Sequence, residues 1–70
     1  MWQFPVFVKS KDSGDVNGYN SVKEMLRALE QIDVENNEYE AWDATGLPLK
    51  LSVQRSNEWL RLEPAENLNS

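Results

Sequence analysis

The segment Ser13-Gly-Asp-Val-Asn-Gly-Tyr-Asn-Ser-Val-Lys-Glu24 falls on the spacing of a calcium-binding loop. Calcium takes oxygen ligands from a loop that turns sharply at a glycine. Asp15, Asn17, Gly18 and Glu24 occupy matching positions. Two residues depart from the pattern. Ser13 stands where the first ligand should be an Asp, and Asn20 stands where loop-pairing proteins place an apolar residue. The preceding residues read as a strand, not as the helix such a loop needs. Glu24 also has a second role, because Ser21-Val-Lys-Glu24 is a helix capping box. Turn plus cap is therefore the preferred reading. No metal site or cofactor is assigned, and a calcium-responsive domain using Asp15, Asn17 and Glu24 is kept as an alternative.

A second feature is a run of acids. Glu30, Asp33, Glu35, Glu38, Glu40 and Asp43 occur with no Lys or Arg between Arg27 and Lys50. A surface of one sign attracts a partner of the other sign and speeds association at low salt. If residues 38–42 are a strand, Glu38, Glu40 and Trp42 share one face. Two carboxylates and an indole make an unusual solvent face, and Trp is enriched where proteins bind one another. Glu35, Glu38, Glu40, Trp42 and Asp43 are thus the candidate protein-binding residues. The plainer reading is a solvated helix end and sheet face. The opposite register would bury Trp42 and turn Tyr39 and Ala41 outward, and the sequence leaves both registers open.

Composition narrows the chemistry further. The 70 residues hold no His and no Cys, which excludes disulfide scaffolds, Cys-His or Ser-His catalysis, and zinc, haem or iron–sulfur ligation by those side chains. Twelve Asp and Glu against seven Lys and Arg give a net charge of −5. Binding nucleic-acid backbones needs the reverse balance. Trp2 and Trp59 fit packing better than base stacking, since only Arg55 and Arg61 lie near Trp59. Paired carboxylates need a substrate cleft between them. A chain this short is expected to leave little concavity for a pocket of roughly 300 Å³ or more. Ser13 has no base beside it. The expectation is a non-enzymatic protein.

No apolar run approaches the ~20 residues of a membrane span. The start, Met-Trp-Gln-Phe-Pro-Val-Phe-Val-Lys, lacks the basic region of a signal peptide. Cytoplasmic residence is the expectation, with neither a membrane nor nucleic acid as partner.

The elements that must position these residues follow from periodicity. Trp2, Phe4, Val6 and Val8 alternate with Gln3, Pro5, Phe7 and Lys9, a strand that Pro5 pushes toward a sheet edge or a non-bonded position. Lys11–Asp15 is turn chemistry leading to a short strand near Val16–Tyr19. Val22, Met25, Leu26, Leu29 and Ile32 form one apolar helical face, predicting a helix over about 21–31 that fails near Gln31–Val34. Asn36-Asn37 is a turn. Glu38–Trp42 and Leu47–Val53 alternate around Asp43-Ala-Thr-Gly46, a hairpin with Gly46 in the left-handed position. Trp59–Leu62 is a last strand stopped by Pro64.

The order β(β)αβββ predicts an α+β fold: one two-layer domain over residues 1–64, with one helix on a mostly antiparallel sheet of four or five strands. Residues 65–70 are read as a frayed polar tail. Residues 32–49 look like segments of short bacterial proteins. In size and charge alone, the chain resembles bacterial immunity proteins. That resemblance implies a small acidic antidote masking a basic partner. The functional expectation is a protein–protein interaction module. A self-associating structural subunit, a homodimer paired through an edge strand, is a further alternative.

Overall fold

The turn at Lys11–Asp15 folds the first two strands into a hairpin. The computed structural model, which describes residues 2–65, runs β1 (Val6–Ser10), β2 (Val16–Tyr19), α1 (Val22–Ala28), α2 (Gln31–Glu35), β3 (Tyr39–Trp42), β4 (Pro48–Val53) and β5 (Leu60–Pro64). All pairings are antiparallel, and the five-stranded sheet has the order β2-β1-β3-β4-β5. The α+β expectation holds, with two helices in place of one. Of the expected polar tail, residues 66–70 lie outside the described residues. Ala65 extends the ladder, its N–H donating to the Pro48 carbonyl at 3.0 Å. No helix among the described residues is long and apolar enough to cross a membrane.

Register fixes which side chains face the helices. Val8 pairs with Ala41, Ala41 with Leu49, and Val53 with Leu60. Paired residues share a sheet face, so Val6, Val8, Ala41, Leu49 and Leu60 point the same way. They meet Met25, Leu29 and Val34 of the helical layer, and these eight residues form the buried core. Met25 and Val6 are fully buried. Each such side chain contributes about 1.5–3 kcal/mol relative to exposure.

The single helix expected over 21–31 is broken. Ser21 caps α1, its Oγ accepting from the Glu24 N–H at 3.2 Å. The Glu24 carboxylate completes the cap on the Asn20 N–H at 2.9 Å, one residue earlier than the capping box predicts. Leu29 and Glu30 are extended, at φ −93°, ψ 148° and φ −98°, ψ 134°. Those two residues re-aim the chain into α2. In consequence Val34 is buried, whereas Ile32, on the same face as Met25 in an unbroken helix, is 60% exposed. Packing α1 near β2 and α2 near β4 requires this change of direction.

The first strand begins at Val6, not at Trp2, and lies inside the sheet between β2 and β3 rather than at an edge. Pro5 has no ladder N–H to give. The preceding arm crosses to the β3–β4 turn instead: Gln3 donates to Asp43, and Ala44 donates to the Gln3 carbonyl at 3.1 Å. Trp2 and Phe4 pack edge to face at 5.0 Å against the core. Pro64 does not stop β5 but belongs to it, opposite Leu49. This is an outer strand and a position whose backbone faces away from β4, so its missing N–H costs nothing. Gly46 takes φ 90° as its turn demands.

Candidate functional site

Because the helices and the N-terminal arm pack on one side of the sheet, the other side has no covering element among the described residues. The side chains pointing there lie in rows across the strands. Pairing of Phe7 with Gly18 and Trp42, and of Trp42 with Pro48, builds an apolar row Gly18–Phe7–Trp42–Pro48. The rings of Phe7 and Trp42 stack, with centroids 6.2 Å apart and planes 24° from parallel. Gly18 makes room for this arrangement. A Cβ there would stand 3.0 Å from Phe7 Cε1. Each of the two residues is half-buried.

The adjacent row is charged. Lys9 pairs with Glu40 and Lys50 pairs with Glu63, while Glu40 and Lys50 stand one residue past the last β3–β4 pair, Ala41–Leu49, on either side of the gap where those strands part. Read from β1 to β5, the signs alternate: Lys9, Glu40, Lys50, Glu63. Arg61 lies one row further and meets Glu63 at 3.7 Å. This exposed ion pair contributes little stability.

The β3–β4 ladder is short. Only Ala41–Leu49 and Trp42–Pro48 are paired, and β4 continues to Val53 without a β3 partner. The strands diverge there, and a groove opens on each side of the sheet. One groove, about 750 Å³, lies on the uncovered face beside Glu40, Pro48, Lys50 and Glu63. The other, about 850 Å³, lies between α2 and β4 beside Glu35, Leu51, Arg55 and Trp59. The sequence led us to expect little concavity. Divergence of strands that the hairpin pattern alone would keep together corrects that expectation. Both grooves are open to solvent.

The five residues read as a binding surface are not kept together. Glu40 and Trp42 share the uncovered face, as alternation requires, and Ala41 is buried behind them. Glu38 lies just before β3, with its carbonyl accepting from Lys11 N–H at 2.8 Å. Glu35 ends α2 on the helical side. Asp43 leaves the surface altogether: it is 2% exposed. Its Oδ1 accepts from the Thr45 hydroxyl at 2.7 Å and from the Thr45 and Leu47 N–H groups at 2.9 Å. Its Oδ2 accepts from the Gln3 N–H at 2.9 Å. The Thr45 hydroxyl and then these backbone donors hold the carboxyl down at about 2, against a desolvation that pushes it up. Asp43 is the pin of the β3–β4 turn and ties down the N-terminal arm. The acid run is thus divided among the helical side, the sheet face and the interior.

The calcium-loop residues are drawn apart as well. Asn17 and Gly18 lie in extended β2, Asp15 precedes it, and the Glu24 carboxylate serves the α1 cap. Among the described residues no three acidic side chains gather at a common point. Tyr39 links β3 to α2, its hydroxyl donating to Asp33 Oδ2 and accepting from the Glu30 N–H, each at 3.4 Å. Burial raises its pKa.

Sequence reasoning missed Phe7, Pro48, Lys9, Lys50 and Glu63 as parts of one surface. The alternation of Phe7 against Val6 and Val8 carried half of that signal. The other half is strand order, which puts β1 beside β3 and was not readable. Comparison with known protein families, curated proteins and solved structures finds no match to this chain.

Proposed function

We propose that the chain is a small non-enzymatic module that binds another protein through the uncovered face of its sheet. The observation that carries this reading is the stacked Phe7–Trp42 pair on a sheet face that no part of the described chain covers. Aromatic side chains with an apolar body and restricted rotamers are favoured anchors of protein interfaces. Pro48 extends the apolar row, and charges flank it on one side, the pattern of an apolar centre with a polar rim. Asp43 belongs to the scaffold of this face, its carboxyl oxygens engaged by the chain's own donors.

A narrower version of this reading is a basic partner, as an antidote would have, and cytoplasmic action. What favours it is the acid excess around α2, where Glu30, Asp33, Glu35 and Glu38 have no Lys or Arg among them in sequence. These acids would steer the approach of a basic surface toward α2. The test is capture from lysate by tagged wild type, Trp42→Ser and Glu35→Lys/Glu38→Lys. Loss of capture with Trp42→Ser supports the sheet face. Loss confined to the charge variant at low salt would move the site to α2. Equal capture by all three would end the proposal.

A further inference from the structure

We infer that the partner of the uncovered face is a second copy of this chain, packed face to face about a two-fold axis that runs parallel to the strands between β3 and β4. The inference rests on the reading of that face as the binding surface. Its own support is the order of charges across the sheet. A two-fold axis in that direction sets β1 against β5 of the other copy, and β3 against β4. Lys9 then faces Glu63 of the second copy, and Glu40 faces its Lys50. The row Lys9–Glu40–Lys50–Glu63 is complementary to itself when reversed, which is what an isologous contact demands.

The apolar row obeys the same operator. Trp42 meets Pro48 of the second copy, so each indole face lies against a proline ring. An axis perpendicular to the strands would set Lys9 against Lys9 if placed along the charged row, and Trp42 against Glu40 if placed between the rows. Placed along the apolar row it would stack Trp42 on Trp42 but set the charged row against Pro5, Ala44 and Gly46, where no charge answers it. The groove of about 750 Å³ beside Glu40, Pro48 and Lys50 lies where the axis passes, and gives room for the long Glu40 and Lys50 side chains of the second copy. At the far end of the sheet Arg61 would approach Lys11, but Arg61 is drawn toward Glu63 at 3.7 Å. Facing sheets pack about 10 Å apart. A single small face falls at or below the roughly 800 Å² per partner of stable interfaces, so the dimer should dissociate on dilution.

Sedimentation equilibrium of the purified full chain tests this, with far-ultraviolet circular dichroism to check that each variant is folded. Wild type should be a dimer that dissociates on dilution. Glu40→Lys and Lys50→Glu each create two like-charge contacts per dimer and should each weaken it roughly tenfold or more. The decisive sample is an equal mixture of the two variants. One then carries Lys at both positions and the other Glu at both, so a mixed dimer should form where neither variant pairs with itself. Three results would overturn the inference: a wild-type monomer up to about 1 mM, the weak end of the affinity scale; variants that dimerise as well as wild type, which would point to edge-strand pairing; or a mixture that stays monomeric. A wild-type monomer leaves the face free for a different protein, which photo-crosslinking from that face decides separately.

Discussion

Phe7 sets its ring beside Gly18 and against Trp42, its ring centroid 6.2 Å from the indole on the uncovered face of the sheet. An aromatic ring covering a strand glycine protects backbone that a side chain would otherwise shield. Here the same contact displays two rings side by side. The glycine in β2 thus shapes a surface two strands away.

Gly18→Val should displace the Phe7 ring, because a Cβ at this position meets Cε1 at 3.0 Å. The obstacle is the end of a flexible side chain, so the fold should survive. The stacked pair, worth about 0.5–1.5 kcal/mol beyond its area, should be lost. Nuclear Overhauser contacts between the two rings report this directly. Contacts of unchanged intensity would show that Gly18 does not set the ring position.

Asp43→Asn should lower the melting temperature and flatten the acid limb of stability. The sign follows from linkage: the folded carboxyl titrates at about 2, below the ordinary 3.8. Its contribution is therefore fully present above about pH 4 and is lost as pH falls through about 2. Melting curves of wild type and variant should converge across that window. A variant that keeps the wild-type slope there would remove Asp43 as the source.

Met25→Ala and Ile32→Ala should separate sharply. Met25 is 0% exposed and Ile32 60% exposed, although an unbroken helix would align them. Urea unfolding should give a loss of about 2–5 kcal/mol for Met25 and within about 0.5 kcal/mol for Ile32. Comparable losses would mean that the helix does not break at Leu29–Glu30.

Ser21→Ala removes the oxygen that accepts from the Glu24 N–H. The expected loss is about 0.5–2 kcal/mol, largely restored by Ser21→Asp. Denaturant midpoints of the three proteins provide the check. Equal midpoints would leave the cap without energetic weight.

Much of the fold is legible in the sequence because it rests on local rules. Ser21 with Glu24 marked the start of α1, and Gly46 marked the turn between β3 and β4 through its positive φ. The alternation of Leu49, Leu51 and Val53 marked one face of β4. What local rules do not carry is direction over longer distances. No strong capping residue announces the break at Leu29–Glu30, since Glu30 makes no side-chain cap. The chain turns there because Val34 has to reach the core.

The binding surface was legible only in part, for the same reason. Alternation places Glu40 beside Trp42 on one strand. It does not give the order β2-β1-β3-β4-β5, which brings Phe7 to Trp42 and sets Lys9 and Lys50 on either side of Glu40. Nor does charge pattern reveal that Asp43 is satisfied by donors from Thr45, Leu47 and, 40 residues away, Gln3. A carboxylate in an acidic run reads as surface until its hydrogen bonds are known.

The most direct test of the sheet face as the binding surface is site-specific photo-crosslinking in cells. A benzophenone amino acid is placed at Ser52, which shares the uncovered face with Lys50 but lies outside the charged row, or at the exposed Lys23 of α1. Protein adducts should form from position 52 and disappear with Trp42→Ser, and none should form from position 23. An adduct of twice the chain's mass identifies a second copy, and any other mass identifies a different protein. Adducts from position 23 with none from position 52 would put the contact on the helices and not on the sheet face.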